Sequence, residues 1–200
     1  GVTIGIFSII GVLAAVDSLE REIKGSLSAL DNSTIIVMRF SFGPTEVPQW
    51  KRQQFPNVSY DEYQFLKRNL PNTESVSFTI GVPDESIKHQ DVTSTGVGVG
   101  AVTHEYYDIE AFELEDGRFF NESESVSGSP VIVLGHEIAN NLFGNFNPLG
   151  KEVRMYGRKF TVIGVLKKQG SSLFGGSRDG QVFLPVNIAR RVYGDNNKGV

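Results

Sequence analysis

Residues 131–166 read VIVLGHEIANNLFGNFNPLGKEVRMYGRKFTVIGVL, and their pattern decides the fold. The opening VIVL is a continuous apolar run, as expected of a central strand buried on both faces. Residues 137–143 then read as a short helix, with Gly144 placed where a left-handed residue ends one. Asn147-Pro148-Leu149-Gly150 is turn chemistry. Two strand-like segments, 151–155 and 160–166, flank Tyr156-Gly157-Arg158, which predicts a hairpin. A strand, a helix and a hairpin in immediate succession predict an α+β fold.

Working outward, a glycine- and serine-rich loop over 170–180 precedes a strand over 181–184. A helix over 185–193 has Pro185 at its start and Gly194 after its end. Upstream, residues 34–40 (TIIVMRF) predict a first strand and 41–55 a long loop. Ser59 is an N-cap with Glu62 at capping-box spacing, opening a helix whose stripe is Tyr63, Leu66 and Leu70 and which Pro71 stops. Residues 74–81 alternate as a strand should, with Val76, Phe78 and Ile80 on one face, and 91–102 predict another strand of unusual glycine content. This β-α-β-β unit is an incomplete layer that needs more strand or helix to close it. A second unit starts near His104, and residues 121–129 within it read as a polar segment.

The N-terminal residues 1–16 carry no charge, and Asp17, Glu20, Arg21, Glu22 and Lys24 follow at once. Sixteen helical residues rise about 24 Å, short of the roughly 30 Å of a bilayer core, so length alone fits a signal-peptide apolar region or a buried helix as well as a span. We expect the outer end of a truncated first membrane helix. No basic residues precede the run, and Gly1, Gly5, Ser8 and Gly11 would let a neighbouring helix approach closely. Leu19, Ile23, Leu27 and Leu30 continue as one amphipathic stripe, predicting a stalk helix over 17–34. With only Arg21 and Lys24 basic, this flank reads as the non-cytoplasmic side.

Composition narrows the classes. With 40 % hydrophobic residues and 14 Phe, the chain has material for a packed core and is not of disordered composition. The net charge is −4 and the basic doublets are scattered, which argues against nucleic acid as a partner. There is no cysteine, hence no disulfide and no thiolate chemistry.

Motifs for catalysis fail one by one. Gly96, Gly98 and Gly100 lack the spacing of a dinucleotide-binding loop, and no helix start follows them. Gly144 to Lys151 resembles a P-loop only superficially, with five residues between the glycines and Glu152 in place of the metal-binding hydroxyl. His89, His104 and His136 show no metal-ligand spacing. Glu110, Glu113, Glu115 and Asp116 read as a solvated acidic edge rather than an acid–base pair. No catalytic, cofactor or metal residue is assigned. Leu173 and Phe174, set among glycine and serine, are either tucked into the local core or presented to a partner.

The order of motifs says more than any one of them. GRFF (117–120), VIVLG (131–135), LFG (142–144), NPLGKEV (147–153), GRKFTVIGVLKKQG (157–170) and D-x-x-V-F-L-P (179–185) together resemble the MacB-type periplasmic core domain of ABC-transporter permeases. Residues 1–19 look like that family's first transmembrane segment. The resemblance implies a two-lobed extracytoplasmic domain: 1–16 ending a membrane helix, 17–34 the stalk, and 35–100 the first half of a porter-like lobe. Residues 101–194 would be an inserted sabre-like lobe and 195–200 a return segment toward the porter lobe's missing half. It further implies a bacterial inner-membrane permease working as a dimer with a cytoplasmic ABC ATPase, fused or separate. A periplasmic adaptor and an outer-membrane channel are possible further partners. The rival readings are a membrane-anchored binding module in envelope biogenesis, and an anchored hydrolase using Glu115, Asp116 or His136.

Overall fold

Ser59 opens the first described helix as its capping-box pattern requires. Its hydroxyl accepts from the Glu62 N–H at 3.2 Å, and the Glu62 carboxylate accepts from the Ser59 N–H at 2.7 Å. The structure, a computed structural model, describes residues 34–37, 48, 51, 58–172 and 176–194. Residues 1–33, most of 38–57, Leu173 and Phe174 lie outside them, and with them the expected membrane segment and the stripe Leu19, Ile23, Leu27 and Leu30.

In chain order the elements are α1 (Tyr60–Asn69), β1 (Thr79–Gly81), β2 (Glu85–His89), β3 (Val92–Val102), α2 (Tyr106–Ile109), β4 (Leu114–Gly117) and α3 (Glu122–Ser127). They continue with β5 (Val131–Leu134), α4 (His136–Phe143), β6 (Glu152–Met155), β7 (Arg158–Leu166), β8 (Ser171–Ser172), β9 (Gly176–Ser177), β10 (Gln181–Pro185) and α5 (Val186–Tyr193). The chain divides into two units. One takes in Gly1–Ile36 and Ser171–Gly176, the other Val37–Gly170 and Ser177–Val200. Within the first, residues 34–36 are exposed and without regular structure, so the strand expected over 34–40 is absent at its start. β8 and β9 form a small two-stranded sheet.

The second unit holds an eight-stranded mixed sheet in the order β1-β3-β10-β5-β7-β6-β2, with β4 on β7. Because β2 also pairs with β3, the strands β3, β10, β5, β7, β6 and β2 close into a ring. β10 runs parallel to β3 and antiparallel to β5, and β5 runs parallel to β7. The β-α-β-β unit that reads as incomplete in sequence is thus joined by β10, and the expected lobe boundary at 100/101 falls inside β3.

Both faces of the central strands are buried, which explains their unbroken apolar runs. Ile132, Leu134, Val182 and Leu184 face one cluster with Ile138 and Leu142 of α4. Val133 and Phe183 face the opposite way, against Val102, Phe112, Phe119 and Phe120. Each such side chain contributes about 1.5–3 kcal/mol on burial.

The glycines of β3 answer to this packing. Gly98 stands opposite Gln181 and Gly100 opposite Phe183. A Cβ on Gly100 would lie 2.7 Å from the Phe183 ring, so the glycine is the space the ring occupies. Gly96, at φ +65, sits where the β2–β3 register shifts between Glu85 and Ile87, a bulge position. The hairpin turn Tyr156-Gly157 has φ of 52° and 67°, the sign pair of a type I′ turn.

Three sequence expectations change. Residues 121–129 contain the helix α3, capped by Asn121 and Glu124 and ended by Gly128 at φ 61. Its last carbonyls accept from the buried Asn187 of α5, at 3.0 Å for both Ser125 and Val126. The strand expected over 74–81 shortens to β1, although Phe78 and Ile80 are buried as anticipated. In α1 the buried residues are Tyr60 and Tyr63, while Leu70 is exposed at the C-cap.

α1 is also held by Glu105, which accepts from the Tyr63 hydroxyl at 2.9 Å and from Lys67 at 2.5 Å. Its other oxygen faces His104 Nδ1 at 3.3 Å without a hydrogen bond. Burial works to raise the Glu105 pKa, but Lys67, Thr103 and Tyr63 outweigh it and hold the carboxyl below its ordinary value. Burial and the neighbouring charge push Tyr63 up to about 12.

Two outcomes follow from these contacts. Gly100→Ala should destabilise by about 1–3 kcal/mol, the range for overpacking. Phe183→Leu in the same chain should recover part of the loss, which denaturant melts of the four-member cycle would measure. Glu105→Gln should cost about 1.5–3 kcal/mol near neutral pH. Because the folded pKa of Glu105 is lowered, its contribution is complete above the ordinary glutamate value and disappears as pH falls through the folded one. The variant and wild type should therefore converge in stability in acid.

Candidate functional site: the anchored base of the 170–178 loop

Arg178 and Asp179 precede β10, the strand at the middle of the ring, and between them they tie down the loop in which Leu173 and Phe174 lie. The Asp179 carboxylate accepts from the Gln169 and Gly170 N–H groups, each at 2.9 Å. The Asp179 N–H donates to the Ser177 hydroxyl at 3.1 Å. One residue thus holds the chain on both sides of the loop. Asp179 is only 7 % exposed. Burial works to raise its pKa, but the Gln169 and Gly170 amides and the Ser177 hydroxyl prevail and keep it below the ordinary aspartate value.

The backbone of Asp179 carries a second duty. Its carbonyl accepts from the Glu137 N–H at 3.0 Å, satisfying a donor that the first turn of α4 would otherwise leave open. Gly135, before that helix, approaches so closely that a Cβ there would lie 2.5 Å from the Arg178 and Asp179 carbonyl oxygens. A side chain at 135 would push α4 off the loop base.

Arg178 faces the opposite side of the sheet. It donates to the Tyr106 hydroxyl at 2.9 Å and to the Glu110 carboxylate at 2.5 Å, with its guanidinium 5.6 Å from the Phe112 ring centre. Burial pushes the Tyr106 hydroxyl pKa up, so it remains a protonated partner at neutral pH. The arrangement is mechanical: a planar cation locks α2 to the loop base, and a carboxylate locks the loop's ends. The sequence flags Asp179 as part of a family motif, whereas Arg178 carries no spacing signal, since its partners lie about seventy positions away.

The residues of the hydrolase reading are only partly brought together. His136 Nδ1 pairs with Glu115 at 2.7 Å, and Asn140 donates to His136 Nε2 at 2.8 Å. Nε2 therefore accepts, Nδ1 carries the proton, and neither nitrogen is open to a substrate in this arrangement. Asp116 instead accepts from the Gly117 N–H. Among the described residues no group of histidines and carboxylates is placed to hold a metal ion.

Asp179→Ala should remove the acceptor shared by the Gln169 and Gly170 amides, which are only partly shielded from water, lowering stability by about 1–2 kcal/mol. Hydrogen exchange at Gln169 and Gly170 should accelerate while exchange in β6 stays slow. Unchanged exchange at those two amides would remove Asp179 from this role.

Comparisons with known proteins identify the family. The family model of the MacB-like periplasmic core domain matches residues 1–199. The macrolide export ATP-binding/permease protein MacB of Neisseria gonorrhoeae is 26 % identical over 198 residues, covering 98 % of this chain and 30 % of that protein. The uncharacterized ABC transporter permease YknZ of Bacillus subtilis is 26 % identical over 204 residues, covering 98 % of this chain and 48 % of that protein. The chain therefore spans less than half the length of either relative. The crystal structure of the periplasmic region of MacB from Actinobacillus actinomycetemcomitans shares the fold, with a TM-score of 0.60 at 22 % identity, over 70 % of this chain and 60 % of that one. The chain belongs to the MacB-like periplasmic core domain family, extracytoplasmic domains of ABC-transporter permeases.

Proposed function

We propose that this chain is the extracytoplasmic part of a permease subunit in a bacterial inner membrane, coupling cytoplasmic ATP hydrolysis to export or envelope work. The observation that carries the reading is the family match over residues 1–199, which takes in the apolar start and the stalk as well as the folded unit. Related permeases are named for macrolide and for pyoverdine export, so membership alone leaves the cargo open.

In this reading residues 1–16 end the first membrane helix, and 17–34 form a stalk whose stripe Leu19, Ile23, Leu27 and Leu30 passes movement from the membrane to the domain. No helix among the described residues is long and apolar enough to cross a membrane; the crossing is assigned to residues outside them. The domain itself is assigned no catalysis, and ATP hydrolysis belongs to an ATPase domain or subunit. A paired permease, a periplasmic adaptor and an outer-membrane channel are the further partners. The two-lobe division at 100/101 belongs to the same proposal; so divided, the lobes share β3.

The anchored base of the 170–178 loop supports a contact role for Leu173 and Phe174. A loop held at both ends loses less entropy on binding than one free to fluctuate, which favours its use as a contact element.

Replacing Leu19, Ile23 and Leu27 with Gln in the whole permease should abolish export while leaving ATP binding by the ATPase intact. Export at the wild-type rate would overturn the lever. Leu173→Ser with Phe174→Ser should reduce export or adaptor capture at least tenfold without lowering thermal stability. A drop in stability with partner capture intact would instead place these side chains in the core.

A further inference from the structure

Strands β2, β6 and β7 carry a row of cations that the fold does not explain. Lys88 stands opposite Arg154 in the β2–β6 pairing, and Arg154 opposite Lys159 in the β6–β7 pairing. All three are exposed, while their neighbours Ile87, Val153 and Phe160 point into the core. Adjacent strands lie about 4.8 Å apart, so the backbone positions of these three cations span roughly 10 Å on one sheet face. Like charges directly opposite each other destabilise a sheet. This row does so in a chain whose net charge is −4.

Lys151, in the turn before β6, joins the row in lining an open cleft of about 590 Å³. Glu152 is the sole acid of that lining, and Lys159 already holds its carboxylate at 2.6 Å. Arg154 reaches Glu152 only through longer-range attraction. Among the described residues, the side chains of Lys88, Lys151 and Arg154 have no hydrogen bond or ion pair, and only their backbones are engaged. One wall of the cleft is firm: His89 Nδ1 meets the Glu152 carbonyl at 2.8 Å, and its ring lies 4.3 Å from that of Phe143. A carbonyl can only accept, so Nδ1 carries the proton.

We propose that this cleft binds a multiply charged oxyanion of the phosphate class. Arg154 offers a planar fork matched to two oxygens, and Lys88, Lys151 and Lys159 act as point charges on the others. An isolated carboxylate would neutralise only part of this excess. The cleft's volume lies within the range of small-ligand sites and admits a headgroup or a small phosphorylated solute. The same chemistry is supplied by an anionic phospholipid headgroup or by a soluble phosphate ester. The inference stands on the cleft alone and is independent of the transport reading.

The test uses the full chain at low and moderate salt with three probes: pyrophosphate, vesicles of phosphatidylglycerol in phosphatidylcholine, and poly-glutamate. The wild-type chain should bind pyrophosphate or the vesicles, with affinity falling as salt rises. With pyrophosphate, amide NMR shifts should concentrate at residues 88–90 and 150–154. A variant carrying Lys88→Gln, Lys151→Gln and Arg154→Gln should bind at least tenfold more weakly. It should melt no lower than wild type, because it loses like-charge repulsion. A control carrying Lys51→Gln, Arg68→Gln and Lys168→Gln removes equal charge elsewhere and should bind as wild type. Pyrophosphate binding identifies a soluble ester as a sufficient source, and binding to vesicles alone identifies the headgroup; either sustains the site. Binding to neither, binding to poly-glutamate only, shifts confined to other residues, or equal loss in the control overturns it.

Discussion

The structure depends on β10 being buried on both faces. That strand joins β3 on one side and β5 on the other, linking the N-terminal strands to the rest of the ring. Val182 and Leu184 serve the cluster beneath α4, while Phe183 serves the aromatic cluster on the opposite face. Phe183 can be accommodated only because Gly100, opposite it on β3, has no side chain. The glycine content of β3 is therefore a packing requirement imposed by a residue more than eighty positions away. The same demand for backbone proximity recurs at Gly164, where a Cβ would lie 2.3 Å from the Arg118 carbonyl oxygen.

Rigidity in β10 carries over to the segment before it. Arg178 and Asp179 sit at the entry to this strand and fasten α2, α4 and the ends of the 170–178 loop to it. Catalytic sites need an exposed reacting group held by a supporting shell. At the surface, His136 is held between Glu115 and Asn140, with both ring nitrogens engaged. The cationic row on β2, β6 and β7 stands apart, because its charges face outward with almost no internal partners.

Much of the fold was legible in the sequence, and the reasons are local. The capping box of Ser59 and Glu62, the turn Tyr156-Gly157 and the helix end at Gly144 rest on contacts within a few residues, so their patterns survive any tertiary context. α3 was missed although Asn121 and Glu124 have the same capping spacing. Its polar composition gives no apolar stripe, and it is completed by Asn187 and Arg191 from α5. β2 was missed because among its residues only Ile87 is fully buried, too little alternation to distinguish a strand from a loop. Of the candidate site, Asp179 was visible as a motif residue, whereas its double hold on the loop ends was not.

By itself the sequence determined the α+β class, most helix caps and turns, the two-sided burial of the 131–134 strand, and membership of a permease family. These follow from hydrophobic period, backbone sterics and motif order, all of which act along the chain. Only the tertiary structure decided that the sheet closes through β3, that the glycines of β3 make room for Phe183, that Arg178 reaches Tyr106 and Glu110, and that Lys88, Arg154 and Lys159 stand in one row. Those facts depend on register between strands distant in sequence. A shift of one residue reverses which side chains face the core, and no local pattern specifies the partner strand.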